Sequence, residues 1–372
     1  MMKISGFVER KTKRIKLGQT TVPLFGDIKP IETAVAGRIF TEYSYEVDIR
    51  LTATWGAGPV PECPNWGITQ NFIERMRVLI DSKQVVNISP VMALTLSNIS
   101  KGSLLESGSL SSAIGYPLVK DSSNRLKFDT SGFIVDAAET IVLNRSQPYC
   151  GFQEGVRTAD DFRKYDNIQF YFDRKSIEQL RADGDAAAAF AVTGLEMTIT
   201  VYAEQLLDIQ SVDKVQLFSL ELIENSQVWK AASSVEVVNL NRTAMLSNLY
   251  YKAFSGGAGL PADDMTFDKV RLLKNGEDEI LLDTTHLDLQ RAMLDSFSIY
   301  APWSTVDATR FLEGVGMICN VRDSLSQAHD NTKLINGQPT KTFELELTST
   351  ATADVTKPAQ VRVVQERLIA PL

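Results

Sequence analysis

The side chains that could do chemistry are few and scattered. The chain has two histidines, His286 and His329, and neither has a second histidine two or four residues away. That spacing would put two ligands on one face of a strand or helix. No HExxH helix, GxSxG elbow or P-loop occurs. Gly256-Gly257-Ala258-Gly259 runs into Pro261-Ala262-Asp263-Asp264 rather than into a helix, so it reads as an inter-strand loop and not a phosphate cradle. Asp183 and Asp185 flank Gly184, and Asp263 and Asp264 precede Asp268. Such clusters could hold calcium, but neither has EF-hand spacing, and both read as solvated loop charge. Nothing among the 46 acidic residues selects the facing pair a glycosidase needs. Cys63, Cys150 and Cys319 lie far apart without CxxC spacing, which argues for free thiols. The expectation is a protein that is not an enzyme, with no catalytic, cofactor-binding or metal residues and no cofactor.

One segment has a distinct physical character. Lys3, Arg10, Lys11, Lys13, Arg14 and Lys16 stand against Glu9 alone in the first 18 residues of a chain whose net charge is −8. A basic end on an acidic body attracts polyanions, either nucleic acid or an anionic lipid surface. Phe7, Val8, Ile15 and Leu17 are interleaved, as in an element that lies on lipid. The charge resembles that of a secretory leader, but Lys and Arg continue to residue 16 where an apolar run should stand. No window is apolar enough for a membrane-spanning helix. Residues 1–30 read as an arm, broken by Pro23 and Gly26, whose first 17 residues could be deleted without loss of a strand.

The elements that must carry these groups are strands. With 372 residues, 44% hydrophobic and 23% charged, the chain suits two or three globular domains. Residues 38–54 alternate apolar and polar, the two-residue period of a half-buried strand. Residues 72–80 and 84–88 read as a hairpin, and 133–144, 167–173 and 197–206 as further strands. The apolar run 91–99 fits strand or helix. The Ser/Gly-rich stretch 100–132 reads as an irregular excursion, and 175–189 as a helix ended by Gly184. Strands follow at 215–224, 235–240, 244–254, 269–274, 279–282, 296–302, 313–321, 343–351 and 359–368, with a short helix at 306–312. Tyr43 with Tyr45, and Phe170 with Phe172, each share a sheet face. They are core pairs or, on an exposed face, a sugar-binding platform. Trp55, Trp66, Trp229 and Trp303 fall near strand ends, where interface anchoring is open to them.

The pattern is written twice. FIERMRVLIDSKQVVNI (72–88) returns in outline as FDKVRLLKNGEDEILL (267–282), which aligns Arg77 with Arg271 and the turn Asp81-Ser82 with Asn275-Gly276. MTITVYAEQL (197–206) returns as AQVRVVQERL (359–368), with Glu204 over Glu366. A repeat of half a chain is too long for a solenoid unit and reads as tandem β-domains. Eight or so strands per half suit a jelly roll. The division is a basic arm over 1–34, a first jelly roll over 35–208 and a second over 209–372. The first half is longer between the matched landmarks, and 100–132 is the natural place for its insertion.

These tandem domains, paired turns, matching last strands and basic arm resemble the double jelly-roll major capsid proteins of tailless icosahedral viruses, many of them membrane-containing and including bacteriophages. The resemblance implies an all-β chain of two eight-stranded jelly rolls with short helices in loops. It implies a homotrimer whose six rolls make a pseudo-hexagonal capsomer of a virus shell. The implied partners are neighbouring capsomers, penton or minor capsid proteins, an internal lipid membrane and the genome. Lys3, Arg10, Lys11, Lys13, Arg14 and Lys16 would then face membrane or genome. The implied place is the virion, after synthesis in the host cytoplasm. The rival readings are a tandem carbohydrate-binding protein or adhesin, or a virion spike.

Overall fold

The computed structural model describes residues 12–54, 69, 72–101, 118–120, 126–128, 132–145, 157–175, 191–207, 217–228, 231–243, 245–255, 260–261, 267–297, 314–319, 335–336, 341–351 and 360–369. Sixteen main strands build two copies of one topology. In the first copy they are β1 (Thr12–Val22), β2 (Ile31–Ala34), β3 (Ile39–Thr54), β4 (Ile73–Ile80), β5 (Lys83–Ile88), β6 (Gly132–Asn144), β7 (Asn167–Arg174) and β8 (Ala191–Leu206). The second copy has β9 (Leu217–Val228), β10 (Val235–Asn239), β11 (Met245–Ser255), β12 (Phe267–Lys274), β13 (Glu279–Thr284), β14 (Val315–Cys319), β15 (Phe343–Ser349) and β16 (Gln360–Ile369). The first roll pairs its strands as β1-β8-β3-β6 and β2-β7-β4-β5. The second pairs them as β9-β16-β11-β14 and β10-β15-β12-β13. Adding eight to each strand number of the first roll gives the second. Two packed four-stranded sheets with this Greek-key order are a jelly roll.

Each copy also inserts a helix after its fifth strand: α1 (Pro90–Lys101) and α2 (His286–Phe297), each of 12 residues. Ser89 caps α1 through its hydroxyl to the Met92 N–H, and Pro90 occupies the first helical position, where no N–H is needed. Thr285 caps α2. Its hydroxyl accepts from the Asp288 N–H at 3.1 Å and donates to the Asp288 carboxylate at 2.7 Å. The run at 91–99 is therefore helical. The strand expected at 296–302 is corrected at its start, because residues 296 and 297 belong to α2.

The duplicated hairpins turn alike. Asp81 and Ser82 have φ of 44° and 72°, and Asn275 and Gly276 have 55° and 68°. Two consecutive positive φ angles match the twist of the flanking strands, and Asp, Asn and Gly tolerate them. Asp81 exchanges bonds with Asn167, whose N–H donates to its carboxylate at 3.1 Å. Asn275 accepts from the Lys341 N–H at 2.7 Å in the same corner of the second roll. Arg77 and Arg271 sit on the equivalent strands β4 and β12, four residues before Asp81 and Asn275. Arg77 pairs with Asp173, and Arg271 pairs with Glu346 at 3.1 Å.

The core of each roll lies between its sheets. Tyr43 and Tyr45 on β3 meet Phe170 and Phe172 on β7 edge to face, with centroids 5.4–6.1 Å apart. All four rings are buried, so a sugar-binding platform built on them is ruled out. Burying each large side chain stabilises the roll by roughly 1.5–3 kcal/mol. In the second roll Tyr251, Phe267, Leu272, Phe343 and Val361 fill the same layer. Gly316 lies directly opposite Tyr251, and a Cβ there would sit 2.0 Å from the ring, so only glycine admits that tyrosine.

Two expectations are corrected. The arm does not run to residue 34. Thr12–Val22 is β1, paired with β8 along its length, and Ile31–Ala34 is β2, paired with β7. Leu17 and Val22 are buried, and the Thr33 hydroxyl donates to the Leu17 carbonyl at 2.6 Å. Deletion to residue 17 would therefore remove half a strand. Nor does the excursion at 100–132 carry all the extra length, or stay irregular: Leu118–Lys120 and Leu126–Phe128 pair as a small ribbon. β6 has 13 residues against 5 in β14, and β8 has 16 against 10 in β16. The helices expected at 175–189 and 306–312 lie outside the described residues, save Lys175, which follows β7.

Candidate functional site: the joint between the rolls and the open strand edges

The candidate groups are those at the joint between the rolls and at the open strand edges. The joint begins where β5 of the first roll runs parallel to β9 of the second, with Val86 opposite Leu222 and Asn87 opposite Ile223. A short segment, Arg157–Thr158, extends the contact beside Leu217 and Phe218. The outer face of the β9-β16-β11-β14 sheet offers Leu222, Val364, Tyr250, Met317 and Val315, which belong to one continuous core with the first roll.

Two buried charge clusters cross this joint. Arg145 and Asp160 are fully buried and paired side by side, Nε to Oδ2 at 2.7 Å and Nη2 to Oδ1 at 3.1 Å. Tyr43 donates to Asp160 at 2.7 Å. From the second roll, Ser219 donates to Asp160 at 3.3 Å and the Leu220 carbonyl accepts from Arg145. Burial disfavours charge on Arg145, but the Asp160 carboxylate outweighs it and leaves the guanidinium's pKa raised. Burial first, and then Asp160, raises the pKa of Tyr43 well above that of a free phenol. The second cluster centres on Glu224 of β9. It accepts from the Ser89 N–H at 2.5 Å, at the positive end of α1, and lies 3.3–3.4 Å from Arg362 and Arg75.

The basic residues divide. Lys3, Arg10 and Lys11 lie outside the described residues. Lys13, Arg14 and Lys16 are exposed on β1. Arg14 pairs with Glu46 and stacks over Tyr202, 4.1 Å from the ring centroid. Lys16 donates to Gln19 at 2.7 Å. Among the sheet edges without a strand partner in the described residues are the outer edge of β13 and that of β1 over residues 12–16.

The other sequence candidates are soon placed. His286 is buried at the start of α2, its Nδ1 2.6 Å from the Tyr251 hydroxyl. Among the described residues no three metal-ligating side chains cluster. His329, Asp183, Asp185, Asp263, Asp264, the four tryptophans, Cys63, Cys150 and the 256–259 run lie outside the described residues. Sequence reasoning missed the Arg145–Asp160 and Glu224 clusters, whose partners are up to 138 residues apart.

No protein-family model matches the chain, and no curated protein matches it in sequence. Solved structures do match in fold. The major capsid protein of Sulfolobus turreted icosahedral virus aligns with a TM-score of 0.61 at 12% identity, covering 97% of both chains. The PBCV-1 virus capsid aligns at 0.58 and 10% identity, covering 99% of this chain and 95% of that one. The major capsid protein P2 of bacteriophage PM2 aligns at 0.51 and 10% identity, covering 97% and 98%. Strand order, internal duplication and end-to-end alignment agree: the chain has the double jelly-roll fold of these capsid proteins.

Proposed function

We propose that this chain is the major capsid protein of an icosahedral virus and assembles as a homotrimer. The observation that carries the reading is the joint. Two copies of one roll stand side by side, fused through β5 and β9 and through buried charge that locks their relative position. Three such chains supply six similar rolls, which is what a pseudo-hexagonal building block requires. Such blocks tile a shell through contacts with neighbouring capsomers and with penton or minor capsid proteins. The protein acts by shape and contact, in the virion, and not by catalysis. The residues ahead of β1, with Lys3, Arg10 and Lys11 beside Phe7 and Val8, face the particle interior, where anionic lipid or genome phosphate attracts them. Each contact is weak, but a trimer, and then a shell, multiplies it.

Size-exclusion chromatography with light scattering tests the reading. A stable species of three times the 41.2 kDa chain mass is the expected result, and a monomer at micromolar concentration contradicts it. Co-sedimentation with anionic vesicles should weaken when residues 2–11 are deleted and the trimer is retained. Equal binding by both forms would remove the interior role of the arm.

A further inference from the structure

We infer that β13 and α2 of one chain form the docking site for β1 of a second copy, with Lys16 meeting Asp288 across the contact. The inference rests on the capsid reading and names the chemistry of its subunit interface. The template is the joint inside the chain, where β5 and α1 of the first roll receive β9 of the second. The duplication supplies the same parts again with no partner for them within the described chain. β13 is the counterpart of β5 and ends its sheet; β1 is the counterpart of β9 and is open over residues 12–16.

The register transfers residue by residue. Arg77 faces Asn87 as Arg271 faces Asp283, and Val78 faces Val86 as Leu272 faces Leu282. Leu222 faces Glu366 as Arg14 faces Glu204, and Glu224 faces Val364 as Lys16 faces Tyr202. The intramolecular pairs Val86–Leu222 and Asn87–Ile223 therefore become Leu282–Arg14 and Asp283–Ile15 between copies.

The charges follow the same substitution with their signs exchanged. Within the chain, acidic Glu224 reaches the start of α1, whose first turn has no acidic residue. Between copies, the counterpart of Glu224 is basic Lys16, and the first turn of α2 carries Asp288. Exposed Asp278, Glu279 and Asp283 add acid around β13, against Lys13, Arg14 and Lys16 on β1. Lys269, the counterpart of Arg75, is held by Asp283 at 3.0 Å. The apolar side chains match too. Ile280 and Leu287 are 48% and 41% exposed in the isolated chain. The counterpart of Leu287 is Val91, which packs against the shared core. An open strand edge with exposed apolar residues is a surface that a partner covers. Because the two surfaces differ, the contact is head-to-tail and can close into a ring.

The test uses the full chain. Wild type, Lys16→Glu, Asp288→Lys and the double reversal are compared by sedimentation at low salt, with circular dichroism as the folding control. The single reversals should raise the concentration of half-dissociation by about tenfold, and the double reversal should recover most of it. Because Asp288→Lys also removes a helix cap, wild-type chains labelled light and heavy are mixed and treated with a zero-length carbodiimide. A cross-linked 16–288 peptide containing one light and one heavy partner is expected. A wild-type trimer that Lys16→Glu leaves unchanged, with no mixed cross-link, overturns the inference and leaves the capsid reading standing. A monomeric wild type overturns both.

Discussion

Arg145 and Asp160 do at the residue scale what the fold needs at the joint. A buried ion pair gains little over well-packed apolar residues, but removing one partner strands the other charge. Arg145→Ala should cost about 3–5 kcal/mol, read as a large fall in Tm or in denaturant midpoint. Arg145→Met with Asp160→Leu should recover much of that loss. If the two single losses simply add, the pair is not coupled. Tyr43 gives the pH signature of the same cluster. Its folded pKa is raised by burial and by Asp160, so the stability it contributes is complete below the unfolded phenol's pKa, about 10, and is lost as pH rises through the higher folded value. The part of the phenolate absorbance that is lost in Tyr43→Phe should therefore appear only together with unfolding, on the alkaline side. Tyr43→Phe should shift that transition, whereas ionisation without loss of structure would show that the hydroxyl is not buried as described.

At the element scale, the instructive strand is β1. Ile15, Leu17 and Val22 turn inward or are buried, which is a strand pattern, but the exposed Lys13, Arg14 and Lys16 gave the segment the look of a tail. The bulge between Lys16 and Gly18 also breaks the two-residue period. Where alternation is unbroken and both faces are distinct, as in β7 and β15, the strand was legible from the sequence. α1 was ambiguous because its run is apolar on nearly every face. α2 was missed although Thr285 and Asp288 write a capping box at its start. The clusters at the joint were illegible because tertiary pairing across distant positions, and no local spacing, creates them. The truncation experiment separates arm from strand. Deleting residues 2–11 should leave Tm within about 1–2 °C, since β1 remains whole. Deleting residues 2–17 removes Leu17 from the core, and the loss of a buried leucine costs about 2–5 kcal/mol. Equal stability of the two truncations would mean that β1 does not hold the first roll together.

At the scale of the molecule, one topology used twice accounts for most of what the chain shows. The rolls share strand order, hairpin turns, a capped helix after the fifth strand and a tyrosine layer in the core. They differ where their surroundings differ. The outer face of the β9-β16-β11-β14 sheet buries Leu222, Val364, Tyr250, Met317 and Val315 in a core shared with the first roll, with Glu224 and Glu366 buried on the same face. The β1-β8-β3-β6 sheet is charged there, with Arg14, Glu46, Asp48 and Arg50. Under the proposed assembly, that difference separates a contact made while the chain folds from one made while chains assemble. The most direct test is electron microscopy of the purified protein, with class averages viewed down the symmetry axis. Three chains, each bringing two like rolls, should give a ring of six nearly equal lobes with a near-hexagonal outline. Elongated two-lobed monomers, or a trimer whose rolls stand apart as separate arms, would contradict the account.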